Sequence, residues 1–201
     1  MEDHYELINE AWKTAELYFS GDSSGHDIDH SRRVHKLALH LCHAEGGKSS
    51  ITELIAILHD IGDHKLDSDK GTELIRQLGY RFPAKAGILH EVLEECARIS
   101  FSKGGIPLTL EGKIVQDADR LDSIGAIGVA RCFMFAGNRG HRLTDDRRSA
   151  VQHFYDKLLK IKDTLHTDRA RQEAERRHAF LNLFLNELEQ DLDPPAENNL
   201  S

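Results

Sequence analysis

Residues 51–62, ITELIAILHDIG, constrain this chain more than any other stretch. The segment is apolar on nearly every side, so it has no solvent face to offer. It is expected as a central buried helix with other helices wrapped around it. Those helices are visible as stripes. Tyr5, Ile8, Trp12, Ala15 and Phe19 step by three and four along a first helix, which SGDSSGHD ends. His30, Val34, Leu37 and Leu41 make the next stripe, closed by Gly46-Gly47. Two further helices, over about 69–79 and 84–99, flank a turn at Gly79 and Pro83. Residues from Lys113 to Phe135 read as one helix in which Gly125 and Gly128 permit close helix contact. Val151, Phe154, Leu158, Ile161 and Leu165 line a helix over about 147–165, and Ala174, Leu181, Phe184 and Leu188 line one over about 168–190. SFSKGGIPLTLEG is the longest irregular stretch and a candidate lid or substrate loop. No strand shows period-two alternation and no repeat is present. The expected architecture is all-α.

Composition narrows the class. A chain of 201 residues can build one domain whose core needs no covalent staple. Cys42, Cys96 and Cys132 are odd in number and widely spaced, with no CxxC pair, so neither a disulfide framework nor a zinc ribbon is indicated. A net charge of −8 argues against a nucleic-acid coat function. The start, MEDHYELINEAWK, is acidic and lacks an apolar signal core, and no run approaches the ~20 apolar residues of a membrane span. A soluble cytoplasmic protein is expected, and the acidic C-terminal helices are candidates for homodimer contact.

The chemistry lies where the apolar pattern is broken. Seven of the thirteen histidines fall between His26 and His64. His59 and Asp60 end the otherwise apolar central segment, where an uncompensated carboxylate would cost several kcal/mol. Exposure at a helix end, an Asp–His hydrogen bond or a shared cation would each reduce that cost. His30 is in phase with Val34, Leu37 and Leu41, so its ring points to the same interior, whereas His26, His35, His40 and His43 are off that phase or beyond the helix. In QDADRLDSIGAIG, Asp117, Asp119 and Asp122 sit among Ile114, Val115, Ala118, Leu121 and Ile124. Carboxylates so embedded need a cation or several donors to stay ionised. Phase leaves the choice open: Asp117 falls with Ile114 and Leu121, Asp119 with Val115 and Asp122. An Asp–Arg network with Arg120 is the alternative.

Taken in order, His30, His59-Asp60 and Asp119 form the pattern H…HD…D. With GHDIDHSRRV, LHDIGDHK, ISFSKGG and KIVQDADRLDSIGAIGVAR in sequence, the chain resembles the HD-domain metal-dependent phosphohydrolase superfamily, closest to its small stand-alone bacterial type. The resemblance implies an HD-domain helical bundle over residues 1–140; the apolar stripes beyond it predict a C-terminal helical extension packed on it over 141–192, and DPPAENNLS a flexible tail over 193–201. It implies His30, His59, Asp60 and Asp119 as ligands of one divalent ion (Mn, Mg, Ni, Fe or Zn), with Asp119 matching the AD-x-L context and Asp117 as fallback. Asp63 is implied as the residue orienting the attacking water, and Arg120, with Lys65 nearby, as a phosphate contact. Asp27 and His64 are candidates to orient ligands. Four protein ligands on an octahedral ion leave places for water and a phosphate oxygen. The implied activity is hydrolysis of a small phosphorylated molecule, with a nucleoside triphosphate or deoxynucleotide preferred. Two alternatives stand beside it. A dinuclear-iron oxygenase would need His64 and His90 as added ligands, and a non-catalytic signalling or binding module would keep the fold alone.

Overall fold

The central segment has no Gly or Pro between Ile51 and Ile61 to interrupt a helix, and burial of its apolar side chains on nearly every side outweighs the weak helix preference of its β-branched residues. The structure, a computed structural model, describes residues 2–20, 27–61, 68–99, 105–144 and 147–193. Helix α3 (Ser49–Leu58) has Leu54, Ile55, Ala56, Ile57 and Leu58 sealed from solvent. Four helices surround it: α1 (Glu2–Phe19), α2 (Ile28–Glu45), α5 (Ala86–Ile99) and α6 (Leu110–Asp122). Helix α4 (Ser68–Arg81) packs on α1 and leads into α5 through a 3-10 turn at Pro83–Lys85. Among the described residues the regular elements are helical and no strand occurs, so the fold is all-α. No described helix is long and apolar enough to cross a membrane.

Both ends of α2 follow local chemistry. Asp27 is the N-cap, accepting at Oδ1 from the His30 amide at 2.8 Å, and Gly46 closes the helix in the left-handed region with φ 75°. The buried face carries His30, Ser31, Val34, Ala38, Leu41 and Cys42. On α1 the register differs from the expected stripe. Leu7, Ile8, Ala11, Ala15, Tyr18 and Phe19 are buried, while Tyr5 is 69% exposed, because the buried face runs along 7, 8, 11, 15, 18 and 19 and leaves position 5 outside it.

The stretch expected as one helix from Lys113 to Phe135 is two. Helix α6 begins earlier, at Leu110, where the Thr109 hydroxyl accepts from the Gly112 amide at 3.1 Å. It stops at Asp122, and α7 (Gly125–Asn138) starts after a sharp corner. Gly125 has φ 75°, and a Cβ at Gly128 would stand 2.2 Å from the Ser123 carbonyl oxygen. The two glycines make the corner rather than a helix–helix seam. Residues 100–104 of the expected lid lie outside the described residues. The remainder is tied down: the buried Glu95 carboxylate accepts from the Leu108 amide, and Gln116 Nε2 lies 3.0–3.2 Å from the carbonyl oxygens of Arg98, Ile99 and Gly105.

The helix expected over 147–165 also divides, into α8 (Ala150–Asp156) and a 3-10 run at Leu158–Thr164, with Lys157 leaving helical geometry between them. Helix α9 (Asp168–Leu192) then packs on α2, α6 and α7, and Phe133, Phe154 and Phe184 meet with ring centroids 5.7–5.9 Å apart. Asp117 fastens α9 to α6. Its carboxylate, fully buried, accepts from the His166 amide and from the Thr167 amide and hydroxyl at 2.8–3.1 Å. Burial pushes the Asp117 pKa up, against the opposing effect of those donors. Replacing Asp117 with Ala orphans two amides and a hydroxyl at the start of α9. Stability measured by urea unfolding should fall by about 2–4 kcal/mol.

Candidate metal centre

Helix α3 ends at Leu58, so the next two residues emerge at the buried end of the core helix, where its backbone dipole is negative. His59 Nδ1 donates to the Ala56 carbonyl oxygen at 2.9 Å. That bond places the proton on Nδ1 and turns the Nε2 lone pair into the cluster. Nε2 of His59 is buried and makes no hydrogen bond among the described residues. His30 enters from the first turn of α2, its position set by the Asp27 cap. Its Nε2 lies 3.4 Å from Asp60 Oδ2 and 3.4 Å from Asp119 Oδ1, and His59 Nε2 lies 3.5 Å from Asp60 Oδ2. One ligand atom from each of His30, His59 and Asp60 falls within 4.8 Å of the others.

The donor set fits a divalent cation. Separations of 3.4–3.5 Å are long for N–H···O bonds but suit neighbouring ligands that share an ion. Two imidazoles and two carboxylates match first-row divalent metals. The site is also polarised in depth. The His30 and His59 side chains are at most 1% exposed, whereas Asp60 is 12% and Asp119 26% exposed, so solvent reaches the cluster from its carboxylate side.

Behind His30 is an arrangement the sequence reading did not single out. Asp122 Oδ2 accepts from His30 Nδ1 at 2.8 Å. Arg33 grips both oxygens of that carboxylate, from Nε at 2.8 Å and from Nη2 at 3.1 Å, and Arg131 Nη1 reaches Oδ2 at 2.6 Å. The signal was present in the spacing, since Asp122 is one turn beyond Asp119 and Arg33 one turn beyond His30. Arg131 comes from α7, which no spacing within α6 foretells.

The other expected residues are placed as follows. His30, His59 and Asp60 converge, and Asp119 stands beside them, 3.4 Å from His30 Nε2. Asp117 does not join them, for it is held at the start of α9. Asp27 acts through the backbone of His30 rather than through any ring. Asp63, Lys65, His26 and His64 lie outside the described residues. Arg120, expected at a substrate phosphate, has another occupation: Nη1 donates to the Thr164 carbonyl oxygen and sits 3.3 Å from His166 Nε2, because the end of the 3-10 run presents an acceptor there. His90, needed by the dinuclear alternative, is exposed on α5. Of the off-phase histidines, His40 and His43 are exposed, and His35 is half-buried against Trp12 and pairs with Glu53 at 3.0 Å.

Charge inside the cluster is strongly coupled. Burial alone would push the His30 pKa down, but Asp119, Asp122 and Asp60 outweigh it and hold the ring well above the ordinary histidine value. Burial would raise Asp122 and Asp119. Hydrogen bonds from His30, joined by Arg33 and Arg131 at Asp122, reverse this and keep both below the usual carboxylate range. A raised histidine pKa stabilises the cation-free fold fully below about 6.5, and that contribution is lost as pH climbs through the folded value. A metal must displace this proton. Calorimetric titration with Mn²⁺ near neutral pH should therefore show proton release, and affinity should strengthen by up to about tenfold per pH unit until the ring is neutral.

Comparison with known proteins identifies the family. The family model described as HD domain matches residues 27–124, which contain His30, His59, Asp60 and Asp119. YpgQ of Bacillus subtilis is 44% identical over 178 residues, spanning 85% of this chain and 86% of that protein. The crystal structure of YpgQ in complex with ADP superposes with a TM-score of 0.83 at 36% identity, covering 96% of this chain and 98% of the other. An HD-superfamily hydrolase from Bacillus thuringiensis gives a TM-score of 0.73 at 35% identity, covering 95% and 99%. A deoxyguanosinetriphosphate triphosphohydrolase-like protein of Caldanaerobacter subterraneus is 29% identical over 116 residues, half of this chain and 34% of that protein. With an all-helical bundle and an H…HD…D cluster at its core, the chain belongs to the HD-domain family and has the fold of the HD-superfamily hydrolases.

Proposed function

We propose that the protein is a metal-dependent phosphohydrolase that cleaves a phosphate ester or anhydride of a nucleotide. The observation that carries this reading is the cluster of His30, His59 and Asp60 at the buried end of α3, with Asp119 beside His30 and with His59 Nε2 making no hydrogen bond among the described residues. His30, His59, Asp60 and Asp119 would hold one divalent cation. Bound there, the cation supplies positive charge that acidifies water and polarises a phosphoryl oxygen.

The chain's own residues do the remainder. Asp60 and Asp119 lie on the solvent side of the cluster, so a phosphate approaches past them while the imidazoles stay dry. The Ala56 carbonyl and the Asp122 carboxylate keep the two rings oriented with Nε2 inward. Asp63, three residues after Asp60, is proposed to take a proton from the attacking water, and Lys65 to offset charge on the phosphoryl oxygens. Arg120, engaged with Thr164, is not needed for this scheme. A protein of net charge −8 must concentrate positive charge locally to admit an anionic substrate, and the cation site does so. Nucleotide substrates are favoured because YpgQ has been crystallised with ADP and because of the similarity to a deoxyguanosinetriphosphate triphosphohydrolase-like protein.

The test is a hydrolysis screen of nucleoside mono-, di- and triphosphates with Mn²⁺, Mg²⁺ and Ni²⁺. Metal-dependent release of phosphate or pyrophosphate is expected, falling to background in folded Asp60→Asn, and the product identifies the bond cleaved. Undiminished turnover in that variant, or no nucleotide consumed with any of the metals, would overturn the reading. One Mn²⁺ bound per chain is expected; two tightly bound ions would favour the dinuclear alternative.

A further inference from the structure

We infer that Asp122, clamped by Arg33 and Arg131, is a positioning residue that fixes which nitrogen of His30 carries the proton, so that Nε2 is presented to the cation as a lone pair. This rests on the metal-dependent reading above and adds to it a residue outside the ligand set.

The argument starts from donors and acceptors. An imidazole binds a metal through a nitrogen without a proton, so the other nitrogen must hold the proton and needs an acceptor. For His59 the acceptor is a backbone carbonyl, Ala56, which side-chain substitution does not remove. For His30 the acceptor is a side chain: its Nδ1 faces Asp122 Oδ2 at 2.8 Å. The same nitrogen lies 3.2 Å from Arg131 Nη1. A guanidinium only donates. Without Asp122, the guanidinium that lies within hydrogen-bond distance of Nδ1 among the described residues is a donor, which favours the proton on Nε2 and blocks the ligand atom. The carboxylate thus stands between a ring that must donate and an arginine that can only donate.

The clamp fixes the direction in which Asp122 faces. Its side chain is 6% exposed, so the groups packed on it decide where its oxygens point. Arg33 holds both oxygens in a two-point grip and Arg131 adds a third bond, on side chains 35% and 24% exposed that keep part of their charge in water. Three elements contribute: His30 and Arg33 from α2, Asp122 from the end of α6, and Arg131 from α7 beyond the glycine corner. The corner at Gly125 and Gly128 is what returns α7 to the site.

The experiment compares wild type, Asp122→Ala and Asp122→Asn by calorimetric titration with Mn²⁺, with folding checked by circular dichroism. Long-range proton–nitrogen NMR of the metal-free proteins, at alkaline pH where the ring is neutral, reads the tautomer of His30. Asp122→Ala should move the proton to Nε2 and weaken Mn²⁺ binding by ~100-fold, and Asp122→Asn, which keeps a carbonyl acceptor, should retain the proton on Nδ1 and lose only ~10-fold. A pure charge effect would make the two losses equal, because both variants delete the same charge. Equal losses, binding within threefold of wild type in Asp122→Ala, or an unchanged tautomer in that variant would each overturn the inference. If alanine prevents folding, Asp122→Leu fills the space, offers no acceptor and takes its place with the same expectations. Failure of the wild-type protein to bind Mn²⁺ would instead remove the metal-dependent reading itself, so the two failures are distinguishable.

Discussion

The structure depends on the burial of α3. A helix without a polar face has to be enclosed on all sides, and α1, α2, α5 and α6 enclose it. The residues that follow its last turn, His59 and Asp60, therefore emerge where, among the described residues, exposure is confined to the carboxylate side. Placing an acid there is costly unless its charge is answered, and the packing on the same helix brings His30 from α2 against both Asp60 and the second carboxylate, Asp119 from α6, leaving a surplus of negative charge that suits a cation. The packing that hides the helix is thus the packing that builds the cluster. Burial also strengthens each electrostatic contact within it, which is why three carboxylates can hold one imidazole far from its ordinary titration range.

Helix α6 shows how one segment serves several ends by phase. Gln116 faces the carbonyls that close α5 and the chain after it. Asp117, one position on, turns to the start of α9 and is satisfied by two amides and a hydroxyl. Asp119 turns to the solvent side of the cluster, and Asp122 passes behind His30 to meet two arginines. Four polar residues within seven positions thereby fasten a preceding turn, a following helix, a candidate ligand set and its support. A one-residue slip in α6 would turn every one of these groups away from its partner.

Several of these placements were legible beforehand and others were not. The inward direction of His30 followed from its phase with Val34 and Leu41, and the isolation of His59-Asp60 at the end of an apolar segment marked them as needing a partner. The break between α6 and α7 was not legible, because the apolar spacing continues through it. Only the left-handed conformation of Gly125 and the close approach of Gly128 to the Ser123 carbonyl reveal a corner. Tyr5 misled for a related reason: a stripe wider than the buried face gives no sign of which edge stays wet. Arg120 shows a further limit. Phase sets where a side chain leaves its helix, but a long, flexible arginine goes to the nearest unsatisfied acceptor, here the Thr164 carbonyl at the end of the 3-10 run.

What the sequence determined by itself was periodicity and chemistry: helices throughout, one of them without a solvent face, and His and Asp side chains interrupting apolar phases where charge must be compensated. These are local properties, readable from spacing because the helix repeat is fixed. Partnership came from the packing of the helices. Which of Asp117 and Asp119 lies beside His30, which carboxylate receives the Nδ1 proton, and which arginines reach it from across a glycine corner all depend on how helices cross. Crossing is set by close packing between residues far apart in the chain, and the spacing of neighbours along one helix carries no record of it.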